Sequence, residues 1–181
     1  MHLVAETLFL ATLAAGSPTG TSRLERVESV TAARRALLPS SRPRLLHFWA
    51  LWCEPCVEEL PRQVELARKA KAAGVDVVLV NLDPLEEEPE VIAHLDKLRA
   101  LDAARHVQLS PGVDPLELAR LFDPTWAASI PATFGLGADG KLALAFHEAM
   151  SRDDATRLLR ALSPRGSRSK LVSTPTKEKS P

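Results

Sequence analysis

Apolar positions fall along this chain in two rhythms. Three stretches are apolar almost without interruption: Leu45-Leu46-His47-Phe48-Trp49-Ala50, Val75-Asp76-Val77-Val78-Leu79-Val80-Asn81-Leu82, and Ala132-Thr133-Phe134-Gly135-Leu136. Runs of this kind predict strands; the first reads as buried, and the second, nearly continuous and β-branched, as a central parallel strand buried on both faces. Elsewhere the apolar positions recur every three or four residues. Leu60, Val64, Leu66, Ala67 and Ala70 predict a helix from Glu54 to about Ala73, stopped at Gly74; Val91, Ile92, Leu95, Leu98 and Leu101 predict another, opened by Pro89; Leu158, Leu159 and Leu162 predict a last one. Ser151 precedes that helix with Asp154 three residues on, a form of the capping box.

Weaker signals fill the gaps. Val27–Val30 reads as a short strand and Thr31–Leu38 as a short helix ended by Pro39, since proline cannot continue the backbone ladder. His106–Leu109 reads as a strand, and Asp114-Pro115 opens a helix over Leu116–Phe122. Gly137-Ala138-Asp139-Gly140 is a hairpin signal that returns Lys141–Phe146 antiparallel to the preceding strand. Pro61 falls inside the helix after Glu54 and is expected to kink it. Strands and helices alternate up to the second crossover, so the expected class is α/β, a mixed sheet with helices on both faces.

The ends differ from this body. Thr7–Ala15 is a short apolar run followed by small residues, Ala14-Ala15-Gly16-Ser17, in the manner of a secretory leader, although Glu6 stands where positive charge is the rule. Residues 1–20 are therefore expected to be a leader that directs the protein outside the cytoplasm, with a cytoplasmic location as the alternative. From Ser163 onward Ser, Pro, Lys and Arg dominate: Arg165, Arg168, Lys170, Lys177 and Lys179 against Glu178 alone. Residues 163–181 read as a disordered basic tail, leaving one domain over residues 21–162. The formal net charge of zero gives no electrostatic case for a nucleic-acid partner.

The candidate chemistry lies at the end of the first long strand, in Trp52-Cys53-Glu54-Pro55-Cys56. These are the only two cysteines in 181 residues. A bridge across so short a separation closes a tiny loop and removes little chain entropy, which makes it a poor staple and a plausible redox switch. Cys53 falls at a helix N-terminus, where unpaired backbone N–H groups and the helix dipole favour thiolate over thiol. It is expected to be the exposed attacking nucleophile. Cys56, one turn further in, is expected to resolve the mixed disulfide. A carboxylate at Glu54 near the thiolate disfavours the charged form and moves the pair away from strong oxidants. Pro55 sets the first turn of the helix. Trp52 either shields the disulfide or fills core.

Phe48-Trp49-Ala50-Leu51-Trp52-Cys53-Glu54-Pro55-Cys56, with Pro61 five residues on and Ile130-Pro131-Ala132-Thr133-Phe134 ahead of Asp139-Gly140-Lys141, resembles the TlpA/ResA-like thiol–disulfide oxidoreductases of the thioredoxin superfamily. The resemblance covers about Val27 to Leu162. It implies a thioredoxin fold with a central helical insertion, which the 75 residues from Cys56 to Pro131 accommodate. It implies that Pro131 is a cis-proline facing the dithiol, and that Ile130 offers backbone groups to an extended substrate. It places Glu59 where a partly buried glutamate would exchange a proton with Cys56; solvated helix surface is the alternative. It places His47 where thioredoxins carry a buried acid, so that His47 is either a proton relay or a satisfied core histidine. His94, His106 and His147 have no paired ligand in this reading and are given no role.

A monomer is expected, with no cofactor beyond the Cys53–Cys56 pair, since the electrons reside on sulfur, and no metal, since no second C-x-x-C completes a zinc site. Its partners would be a protein disulfide, apocytochrome c in a cytochrome c maturation role, and a membrane dithiol donor. Two other readings stay open. One is a disulfide-forming oxidant. The other is a copper chaperone for a respiratory oxidase using Cys53, Cys56 and His47, since thiolates select Cu(I).

Overall fold

The computed structural model describes residues 23–38 and 41–163. The expected leader and nearly all of the basic tail lie outside these residues. Among the described residues twelve elements follow one another: β1 (Glu25–Val27), α1 (Val30–Leu37), β2 (Arg44–Trp49), α2 (Glu54–Ala72), β3 (Asp76–Asn81), a 3-10 turn (Leu85–Glu87), α3 (Glu88–Lys97), β4 (Arg105–Leu109), α4 (Pro115–Ala119), β5 (Ala132–Leu136), β6 (Leu142–Phe146) and α5 (Arg152–Leu162).

The six strands form one mixed sheet in the order β1-β4-β3-β2-β5-β6. β2, β3, β4 and β1 run parallel, and the β5–β6 hairpin joins β2 antiparallel. The uninterrupted apolar runs became the three central strands, whose two faces are both covered. Alternation along β2 divides the core. Leu45 and Trp49 pack with Cys53, Cys56 and Leu60 of α2, Val91 and Leu95 of α3, and Leu158 and Leu162 of α5. Leu46 and Phe48 face the other way, toward Ala33 and Leu37 of α1 and Leu118 of α4. By the same alternation His47 points to the α2 side.

Most predicted bounds hold within a residue or two. The strand expected over Val27–Val30 is instead Glu25–Val27, because the Ser29 side chain accepts from the Ala32 N–H and starts α1 at Val30. The helix after Pro89 ends at Lys97 rather than Leu101: Leu98 caps it, and Arg99 takes a left-handed conformation at φ 51°. α4 stops at Ala119, short of Phe122. Pro61 stands inside α2 without ending it. The hairpin turn forms as read, with Gly140 at φ 76°, a region that glycine enters without Cβ strain. The capping box at Ser151 and Asp154 is complete in both directions.

Candidate redox site at the start of helix α2

The chain leaves β2 at Trp49, turns through Ala50-Leu51-Trp52 and enters α2 at Glu54, with Cys53 as the N-cap residue. A buried carboxylate holds that turn. Asp83 accepts from the Leu51 backbone N–H through both oxygens, at 3.0 and 2.8 Å, and from Asn81 Nδ2 at 2.6 Å. Gln108 Nε2 in turn donates to the Asp83 and Pro84 carbonyls, at 3.2 and 3.1 Å. The C-terminal ends of β2, β3 and β4 are thereby fastened together beneath the cysteine pair. Asp83-Pro84 reads in sequence only as a turn; its carboxylate acts on a loop 32 residues earlier.

Cys53 and Cys56 form a disulfide. Cys53 is not the exposed sulfur that its place in the motif predicts: 6% of the residue is accessible, against none of Cys56. The ordering of the two is nevertheless the expected one, since only Cys53 reaches the surface. For Trp52 the structure decides between the two readings. It is 64% exposed, so it fills no core and stands out beside the disulfide. Glu54 and Pro55 are exposed on the first turn of α2.

The structure brings Ile130 and Pro131 to the same place. The Ile130–Pro131 peptide is cis, and the Ile130 carbonyl oxygen lies 3.7 Å from Cys53 Sγ. The loop ahead of it is anchored by Trp126, whose indole N–H donates to the Ser129 carbonyl at 2.8 Å while its ring packs against Phe48 and Phe134 at 5.1 and 5.3 Å.

Glu59 is buried, not solvated helix surface. One oxygen accepts from Gln63 Nε2 and from the Met150 backbone N–H at 2.9 Å; the other has no hydrogen-bond partner. Burial raises its carboxyl above the ordinary range, against the lowering effect of those two bonds. His47 is wholly buried. Its Nδ1 bonds the Thr133 hydroxyl at 2.9 Å, while Nε2 has no partner. Burial pushes its pKa down to about 3, so the ring is neutral at physiological pH. It is a core histidine satisfied on one side only.

His147 corrects the reading that gave it no partner. Its Nε2 pairs with the buried Asp123 carboxylate at 2.8 Å. Two residues 24 apart in sequence and of ordinary type give no local signal for this contact. Among the described residues no group of three or more His, Cys, Asp or Glu side chains is placed to hold a metal ion.

Comparison with known proteins agrees with this geometry. The family model described as Redoxin matches residues 39–162. The thiol-disulfide oxidoreductase ResA of Geobacillus thermodenitrificans is 27% identical over 122 residues, which cover 66% of this chain and 62% of that protein. ResA of Oceanobacillus iheyensis is 45% identical over 42 residues, covering 23% of this chain and 22% of that protein. The chain thus spans less than two thirds of the length of either of these relatives. Among solved structures, a thiol:disulfide interchange protein of the thioredoxin family from Chlorobium tepidum TLS superposes with a TM-score of 0.53 at 21% identity, over 68% of this chain and 81% of that one. A secreted Mycobacterium tuberculosis disulfide oxidoreductase superposes at 0.51 with 22% identity, over 68% and 84%. These likenesses show the thioredoxin fold that the cysteine motif and the Ile130-Pro131 strand led us to expect. With more than half of its length matched by the family model, the chain belongs to the Redoxin family and is a thioredoxin-fold protein similar to the ResA thiol-disulfide oxidoreductases.

Proposed function

We propose that this protein is a thiol–disulfide oxidoreductase that reduces disulfides of partner proteins outside the cytoplasm. The observation that carries the reading is the Cys53–Cys56 disulfide at the start of α2, with Cys53 Sγ facing the Ile130 carbonyl ahead of Pro131. In the reduced protein the Cys53 thiolate attacks one sulfur of a partner disulfide. A mixed disulfide forms, and the other partner sulfur leaves as thiolate. Cys56, deprotonated, then attacks Cys53 Sγ; the second partner sulfur leaves, and Cys53–Cys56 is re-formed. Two electrons pass to the partner, and no cofactor takes part. Ile130 holds the partner segment by strand-type pairing, as extended peptides add to exposed backbone groups. Trp52 and Pro55 offer it an apolar rim. Glu59 takes the Cys56 proton; burial raises its carboxyl, which makes it a stronger proton acceptor than an exposed carboxylate.

The location rests on the leader-like residues 7–17 and on the description of the Mycobacterium tuberculosis neighbour as secreted. A membrane dithiol protein would restore the reduced state. Apocytochrome c, whose cysteines must be reduced before haem attachment, is the partner that the ResA likeness suggests.

The test is a trap. Cys56→Ser leaves the mixed disulfide unresolved, so a partner should remain bonded to Cys53 and be identified by mass spectrometry. The wild-type protein should also catalyse insulin reduction. Stoichiometric Cu(I) binding that is lost in Cys53→Ser, without insulin reduction, would replace this reading with the copper chaperone. A reduction potential near −120 mV instead of near −270 mV would replace it with the oxidant.

A further inference from the structure

The loop that presents Ile130 and Pro131 is held by a segment outside the cysteine motif. Asp123 opens that loop. Its Oδ1 accepts from the Thr125 N–H at 2.9 Å and the Thr125 hydroxyl at 2.6 Å, and its Oδ2 pairs with His147 Nε2 at 2.8 Å. Six residues later the Ser129 hydroxyl donates to the His147 carbonyl at 3.4 Å. His147 therefore touches the loop near both ends, with its side chain at one and its backbone at the other. The imidazole also lies 5.8 Å from the ring of Phe134, in the strand that follows Pro131. Three residues beyond His147, the Met150 N–H donates to Glu59 on α2, three residues past Cys56. The stretch His147–Met150 thus spans from the cis-proline loop to the cysteine helix.

Resting on the function proposed above, we infer that His147 and Asp123 are positioning residues that set the gap between Ile130 and the Cys53–Cys56 helix for an extended protein partner. Burial raises the Asp123 carboxyl; its hydrogen bonds from Thr125 and His147 outweigh that and hold it below its ordinary value. A buried carboxylate of this kind keeps its partner, because leaving it unpaired is costly. The loop is otherwise short of regular structure, and Ala128 within it takes a left-handed φ of 61°. With the His147 imidazole removed, the loop keeps its Ser129 bond to the backbone but loses the tie at Asp123, and the Ile130 backbone is held less firmly at its distance from Cys53. A disulfide in a polypeptide needs that presentation. A small disulfide reaches Cys53 without pairing to Ile130.

The experiment compares two disulfides on the reduced, full-length protein: insulin and hydroxyethyl disulfide. In His147→Ala the ratio of the two rate constants, insulin over hydroxyethyl disulfide, should fall by about fivefold, the size of one lost hydrogen bond. His147→Gln keeps an N–H donor at a similar reach and should restore the ratio to within about twofold of wild type. Ser129→Ala, a change at an exposed hydroxyl, should lower the ratio by about twofold, a fraction of one hydrogen bond; it decides the matter should His147→Ala not fold. An unchanged ratio in the alanine variants overturns the inference, as do parallel losses with both disulfides. A wild-type protein inert toward both would instead overturn the oxidoreductase reading itself.

Discussion

Two buried titratable residues on the α2 side of the sheet carry opposite pH signatures. His47 has a folded pKa of about 3, far below its unfolded value. Between that value and about 6.5 the unfolded chain binds a proton that the folded chain refuses. Stability is therefore full at neutral pH and falls as the pH drops through 6.5 toward 3, by at most about 1.4 kcal/mol per pH unit for such a group. His106 and His94, both lowered chiefly by burial, act in the same direction. Denaturant titrations at pH 7 and pH 5 should show a smaller loss on acidification in His47→Leu than in wild type; equal losses would mean that His47 ionises in the folded protein. Glu59 runs the other way. Its raised folded pKa means that the folded state holds a proton longer than the unfolded one, so its contribution is lost as pH rises through the folded value. Glu59→Gln removes that titration while keeping an oxygen for the Met150 N–H. It should slow release of the Cys53-bound partner by about a hundredfold, the lower end of the general acid–base range, and flatten the pH dependence of that step. A pH–rate profile superposable on wild type would remove Glu59 from the proton path.

At the scale of elements, the turn before α2 depends on a carboxylate from another strand. Asp83→Ala leaves the Leu51 N–H and the Asn81 amide without their acceptor and should cost about 1–3 kcal/mol. Asp83→Asn, which keeps one acceptor oxygen, should cost less, as read from urea midpoints. The same contacts show what could be read from residue order and what could not. β2, β3 and β5 were legible because their residues are apolar on both faces, a pattern that only a central strand requires. β1 was misplaced because it is three residues at a sheet edge with a single buried side chain, Val27. The cysteine pair and Pro131 were legible as a motif. Trp52 was not, because an aromatic gives the same signal whether it fills a core or stands in solvent. Asp83, Asp123 and His147 were invisible, since each works on a backbone or side chain brought near only by the order β3-β2-β5-β6.

For the whole molecule, folding and redox state are linked. The disulfide lies at 6% and 0% exposure between α2 and the cis-proline loop, so the folded chain distinguishes the bonded from the reduced pair. If folding favours the oxidised form, the folded protein has a lower reduction potential than the same dithiol in an unfolded chain, and it gives up electrons readily. Each 30 mV of that lowering corresponds to about 1.4 kcal/mol of extra stability in the oxidised protein. A strong oxidant has the reverse order, because its reduced form is the stabilised one. A protein that reduces its partners should therefore unfold at a higher urea concentration when oxidised than when reduced. The margin should match the difference in potential between the folded protein and a peptide spanning residues 52–57. That single comparison reports the direction of electron flow without a partner in hand. A reduced form that outlasts the oxidised one in urea would assign the chain to disulfide formation instead.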